Sequence, residues 1–306
     1  MKKLILLTLP ILLLGACAPK TTKEIKVLCP AGAPAFAFYN HAKDANFETS
    51  DVPSNIAAMM TKASDKTIIV LPIDTGIKAI NNGAPYKLAA NITFGNFFIC
   101  ATGHDDNGQM DPGDKIVLFG QGTTPDLLFH YLYEDKYNEG IEYVTAAKDA
   151  AACLQKSKNM TTGSDIDYVF LAQPAVFASL KANTNASVYA NVQEAYKEKS
   201  GGKQLIQASV FIKNTLDKTV ANEFLDTLKS DVEAVLETPE LLTQKIEDNE
   251  ENQTLFGAKA QVAMAVTKNG NGLGLGYKNA LENKDNIDSY LSLFSLEKTN
   301  EKIYYK

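Results

Sequence analysis

All 30 basic residues of this 306-residue chain are lysines, and neither arginine nor tryptophan occurs. No guanidinium fork is therefore available to clamp a carboxylate, phosphate or sulfonate. An anion would have to be met by helix N-termini, backbone N–H groups, hydroxyls or lysine, and ring stacking falls to the 13 Tyr and 14 Phe. The groups suited to such contacts sit in turns that follow short apolar runs. Gly32, Ala33 and Pro34 form one: Gly32 lets backbone approach a ligand closely, and Pro34 suits a first helical turn. Asp74 and Thr75 follow Pro72, with Asp74 placed to cap a short helix or to meet a ligand amine or hydroxyl. Gln121, Gly122, Thr123 and Thr124 form a third turn, where hydroxyls and helix-start N–H groups point the same way. Gln173 precedes Pro174 at a strand end and offers an amide.

Bond-making chemistry has no comparable support. The chain contains no G-x-S-x-G or H-E-x-x-H motif and no Cys beside a His, so no catalytic residue is assigned. His41, His104 and His130 are scattered without ligand spacing, and no metal or cofactor is expected. Cys29, Cys100 and Cys153 read as buried free thiols, although an exported chain permits one disulfide among them. The polar cluster Gly103–Asp114 does not fit a calcium loop and reads as a hinge or hairpin turn. Gly270–Gly276 (GNGLGLG) lacks both a preceding strand and the Gly-Lys-Ser/Thr of a phosphate loop; it reads as a loop between helices.

The elements that must position these turns are legible from apolar patterning. Ile25–Cys29, Ile68–Leu71, Lys87–Ala90 and Phe97–Ala101 read as strands, the sheet being expected mostly parallel, so that the turn Pro72–Thr75 lies at a carboxyl edge where small ligands bind. Helical segments carry Phe36 and Phe38, then Ile56, Met59, Met60 and Ala63 as a core face, then Ile77 and Ile80 before Gly83. The pattern recurs. Lys115–Phe119 turns through Gly120–Pro125 into a helix with Leu128, and Tyr168–Leu171 turns through Ala172–Pro174 into one with Phe177. Gly32 thus corresponds to Gly122, and Pro72-Ile73-Asp74 to Ala172-Gln173-Pro174, as in two similar α/β lobes facing one another. From Ala208 a further strand leads into amphipathic helices, the last with Ile287, Tyr290, Leu291 and Phe294.

A net charge of −6 without a basic stripe argues against nucleic acid as a partner. Lys2 and Lys3 precede an apolar core, Leu4–Leu14, that is short for a spanning helix. The ending Leu14-Gly15-Ala16-Cys17 resembles the bacterial lipobox. That resemblance implies a signal peptide over residues 1–16, lipidation of Cys17, and a tether over 17–24 that holds the protein outside the cytoplasm on the membrane.

Together, Ile25–Phe38, Thr67–Gly103, Gly120–Tyr133 and Asp165–Leu180 resemble the extracytoplasmic solute-binding proteins of ABC importers. The type II branch related to nitrate, sulfonate and thiamine-pyrimidine binders is the most similar. Gly83–Ala90 resembles that branch's G-x-x-Y-K-L-A-A run, and Phe94-Gly95-Asn96-Phe97 its W-G-N-L, with Phe94 in place of Trp. Gly122–Asp126, one residue shorter between Gly and Pro, resembles G-x-x-x-P-D, and Asp167–Pro174 resembles D-x-x-x-L-x-E-P, with Gln173 in place of Glu. The resemblance implies two Rossmann-like lobes with a ligand cleft between them and two hinge crossings, near Gly103–Asp114 and near Lys203–Ser209. Lobe one would comprise 23–107 and 209–306, and lobe two 108–208. Asn96 and Phe97 join the cleft residues on this basis, although core packing is the plainer fate of Phe97, as of Tyr39. The implied role is that of a monomer that captures a small organic solute and hands it to a membrane permease. The same bilobal fold resembles that of certain menaquinone-pathway and pyrimidine-synthesis enzymes, and a surface adhesin is a third class.

Overall fold

The computed structural model describes residues 25–104 and 107–306; the signal peptide, Cys17 and the tether lie outside the described residues. The first sheet holds β1 (Lys26–Pro30), β2 (Phe47–Ser50), β3 (Thr67–Pro72), β4 (Tyr86–Thr93), β10 (Ala208–Lys213) and β11 (Leu275–Asn279), in the order β11-β4-β10-β3-β1-β2. The second holds β5 (Phe97–Ala101), β6 (Ile116–Phe119), β7 (Ile141–Val144), β8 (Tyr168–Ala172) and β9 (Ser187–Asn191), in the order β7-β6-β8-β5-β9. Reading each from the β2 or β7 edge gives one shared plan. Two strands flank β1 in parallel, as two flank β6. An antiparallel strand delivered by a crossing, β10 or β5, is then inserted before β4 or β9. The paired turns Gly32/Gly122 and Asp74/Gln173 therefore occupy equivalent places, behind β1/β6 and β3/β8.

Two expectations need correction. The sheets are mixed, not mostly parallel, because the crossing strands run against their neighbours and β11 pairs antiparallel with β4. The first crossing lies at Phe94-Gly95-Asn96, not at Gly103–Asp114, and so before the expected 107/108 boundary, because β4 and β5 belong to different sheets. The Gly- and Asp-rich cluster is the louder turn signal, but it only joins β5 to β6 within the second sheet. The return passage runs over residues 200–207.

Along β3 the side chains alternate between two cores. Ile68 and Val70 enter one with Phe36, Phe38 and Phe224, while Ile69 and Leu71 enter another with Ile77 and Tyr290. Both faces of the strand are buried, which is why it reads as an unbroken apolar run. The first face lies under the 3₁₀ helix Ala33–His41 and under α7 (Lys218–Glu237), α8 (Leu241–Lys245), α9 (Glu250–Phe256) and α10 (Ala260–Lys268). The second lies under α1 (Pro53–Met59), α2 (Ile73–Asn81) and α11 (Lys284–Leu291), and its core continues across to α3 (Thr124–Tyr133) and α6 (Val192–Lys199). The remaining face of the second sheet carries α4 (Ala147–Lys156) and α5 (Ala175–Ala182). α1 stops at Met59, so only Met60 of the expected methionine pair is buried; Met59 is exposed. Cys29, Cys100 and Cys153 are free and buried, and burial pushes each thiol up, Cys100 to about 12.

Candidate ligand-binding site

The N-terminal turns of α2 and α3 meet around a residue from neither lobe's expected contact set. Tyr290 of α11 is fully buried, and its ring stands edge-on to Tyr196 of α6 at 6.0 Å. Burial pushes its phenol far above the ordinary value; Asp74 and Tyr196 add to the rise, and the nearby Thr124 opposes it. Its hydroxyl has no protein hydrogen-bond partner of normal geometry among the described residues. Asp74 is not the cap of α2: Pro72 holds that position, and the buried Asp74 carboxylate instead receives Lys78 at 3.3 Å and Thr75 Oγ1 at 3.5 Å. The starts of α2 and α3 thus come together, with a tyrosine between them.

The two glycine turns differ from one another. Gly32, at φ 98°, donates its N–H to the Phe256 carbonyl at the end of α9, and Ala33 and Pro34 are buried in the core. That turn has already spent its donor within its own half. At the matched turn Gln121, Gly122 and Thr123 are exposed. The Gly122 N–H is held by Asp126 at 2.7 Å, and the Thr123 hydroxyl folds back onto the Gly120 carbonyl. Asp126 also accepts from the Tyr143 hydroxyl at 2.7 Å. Thr123-x-x-Asp126 has the spacing of a capping box, but the carboxylate takes the N–H one residue earlier, that of Gly122.

Asn96 and Gln173 are brought together at the first crossing. Asn96 Nδ2 donates to the Gln173 carbonyl at 2.9 Å, and the Gln173 N–H donates to the Asn96 carbonyl at 2.8 Å. Phe97 is a core residue against Phe170 at 5.2 Å, and its backbone is clamped on both sides by the Gln193 carboxamide. Of the twelve expected contact residues, only Gln173 lines the large cavity of this region, about 690 Å³ in volume. That cavity spans both sheets. The first supplies Phe94 and the stretch from Val266 to Lys278, and the second supplies Phe98, Gln173, Phe177 and Asn191. Its size is that of an ordinary small-molecule site.

Gly270–Gly276 forms a wall of this cavity and is not a plain interhelical loop, since β11 begins at Leu275. The carbonyl of Gly274, at φ 66°, accepts the Phe94 N–H at 2.7 Å. A Cβ on Gly274 would lie 2.0 Å from the Gly95 carbonyl oxygen, and one on Gly276 would meet the Phe94 ring at 2.9 Å. Gly274 and Gly276 are therefore bare where they press against the crossing, whereas Gly272 faces Val266 and a Cβ on Gly270 would meet nothing. Lys278 stands over the Phe94 ring at 5.4 Å and donates to Gln204 Oε1 at 2.7 Å.

No group of three or more His, Cys, Asp or Glu side chains suited to a metal ion occurs among the described residues, and none of their helices is long and apolar enough to cross a membrane. The arrangement can hold a small solute by amide donors and aromatic faces; it presents no nucleophile–base pair.

No protein-family profile matches the chain, and no curated protein matches it in sequence. Solved structures do match in fold. An ABC transporter protein from Parabacteroides distasonis is 21% identical, with 89% of this chain and 91% of that one covered and a TM-score of 0.69. The ligand-binding component of an ABC-type import system from Staphylococcus aureus, solved with zinc bound, is 12% identical over 92% and 96% of the two chains, with a TM-score of 0.64. The periplasmic aliphatic sulphonate binding protein of Escherichia coli is 10% identical over 92% of each, with a TM-score of 0.60.

Proposed function

We propose that this chain, which has the fold of the periplasmic solute-binding proteins, is the capture component of an ABC import system. Its two sheets are the cores of two lobes hinged at Phe94–Asn96 and at residues 200–207. A small organic solute enters between the lobes, the hinge closes, and the closed face is presented to a membrane permease. No bond is made or broken in this cycle. In this reading the chain works as a monomer outside the cytoplasm, tethered to the membrane by Cys17 next to its transporter; the lipobox-like Leu14–Cys17 supports the tether. The observation that carries the reading is a cavity of about 690 Å³ shared by two symmetry-related halves that are joined by two crossings.

The test is thermal denaturation of the purified chain against pooled metabolites, with recovery of any stabilising compound. Binding at a hundred times Kd adds about 2.7 kcal/mol, a shift readily seen. A stabilising compound recovered unchanged supports capture. Recovery of a chemically altered compound would move the enzyme class ahead, and no stabilisation by any pool would favour a non-transport surface protein.

A further inference from the structure

From the cavity beside the first crossing we infer a solute site whose ligand is a small planar compound bearing carbonyl or carboxylate acceptors and at most one negative charge. This rests on the solute-capture reading and adds the place and the ligand chemistry. The cavity is lined from both sheets, but not by the strand-end turns Gly32–Pro34, Asp74–Thr75 or Gln121–Thr124.

Six carboxamides line its wall: Gln193 and Asn271 spend both ends on neighbouring groups, Asn269 is uncommitted, and the other three have engaged oxygens. Gln173 Oε1 accepts the Phe177 N–H at 3.1 Å. Asn191 Oδ1 accepts the N–H groups of Gln193 and Glu194 at the start of α6. Gln204 Oε1 accepts Lys278 Nζ. What these three side chains have left is therefore N–H: Gln173 Nε2, Asn191 Nδ2 and Gln204 Nε2. Apart from the Asn269 amide and the Glu194 carboxylate, the polar side-chain groups left free on the wall are thus mainly donors, which favours a ligand that accepts. Phe94, Phe98 and Phe177 supply ring faces for a flat apolar body. Lys278 is the one cation of the lining and Glu194 the one anion, so a dianion finds no second positive group, and the chain has no arginine to provide it.

Calorimetric titration of the purified chain with four probes tests this: uracil and nicotinate as flat acceptor-bearing compounds, benzylamine as a flat cation, and sulfate as a small dianion. Uracil or nicotinate is expected to bind, with benzylamine and sulfate silent. Gln204→Leu, at an exposed position, should weaken that binding about fivefold or more with an unchanged melting temperature, and Phe177→Ala should weaken it further. Preference for benzylamine or sulfate, silence of all four probes, or binding indifferent to both substitutions overturns the inference. Capture itself stands or falls separately, on whether denaturing the purified chain releases an intact small molecule.

Discussion

Asp126 fixes the exposed Gly122 turn from below, with one oxygen on the Gly122 N–H and the other on the Tyr143 hydroxyl. Asp126→Ala leaves both donors without their acceptor and should cost about 1–3 kcal/mol, read as a lower midpoint in urea unfolding. Asp126→Asn, which keeps an acceptor, should cost less; equal losses would mean that the carboxamide cannot replace either bond. Gly274 makes a second demand at this scale. Valine there would place Cβ within 2.0 Å of a carbonyl oxygen and hold a β-branched residue at φ 66°, so Gly274→Val should destabilise by about 2 kcal/mol or more and broaden the amide spectrum around Phe94. An unchanged melting temperature would show that the glycine wall does not bear on the crossing. The residue-level signals were partly legible. The capping-box spacing at Thr123 and the alternate glycines at 270–276 stand in the sequence, whereas the Gln193 clamp on Phe97 depends on β5 and α6 meeting across about 96 residues of chain and has no local sign.

The element that most changes the expected picture is α11. As an amphipathic helix near the C-terminus it reads as cladding, and its place between the starts of α2 and α3 follows from tertiary packing that apolar periodicity does not encode. The Tyr290 ring belongs to the core that crosses between the sheets, while its hydroxyl has no hydrogen-bond partner of normal geometry among the described residues. Tyr290→Phe should therefore leave stability unchanged or raise it by up to about 1 kcal/mol, whereas Tyr290→Ala should cost about 3–5 kcal/mol. A loss of more than 1 kcal/mol in the phenylalanine variant would assign the hydroxyl a bond. The chain beyond α11 is held by Asp288. Burial works against its charge, but hydrogen bonds from Lys284 and Thr299 prevail and keep its carboxyl below the ordinary value. A depressed folded-state pKa contributes stability that is present above the unfolded carboxylate range, near about 4, and is lost as pH falls through the folded value. Amide exchange around Thr299 and Tyr304 should accordingly speed up below about pH 4 in the native chain, beyond the trend set by the chemistry of exchange. Asp288→Asn should show fast exchange already at neutral pH; slow exchange in that variant would contradict the assignment.

At the scale of the whole molecule, the internal symmetry in the sequence is weak but coherent. The recurrence of strand, glycine turn and helix predicts matched halves, and the strand orders around β1 and β6 realise it. The crossing point was hidden because Phe94-Gly95-Asn96 is only three residues long and sits between two apolar strands, while the long acidic loop after β5 carries every local mark of a hinge. The candidate pocket was hidden for a related reason: its walls come from Phe94, Gln173, Phe177, Asn191 and the glycine run, which lie far apart in the chain and share no motif. Solute capture by this molecule is tested most directly by native mass spectrometry of the purified, never-refolded chain, followed by denaturation and identification of what is released. The account predicts one bound small molecule per chain, released chemically intact. Chain that is empty as purified and gains no bound mass from any metabolite pool, or that releases a compound it has transformed, would contradict it.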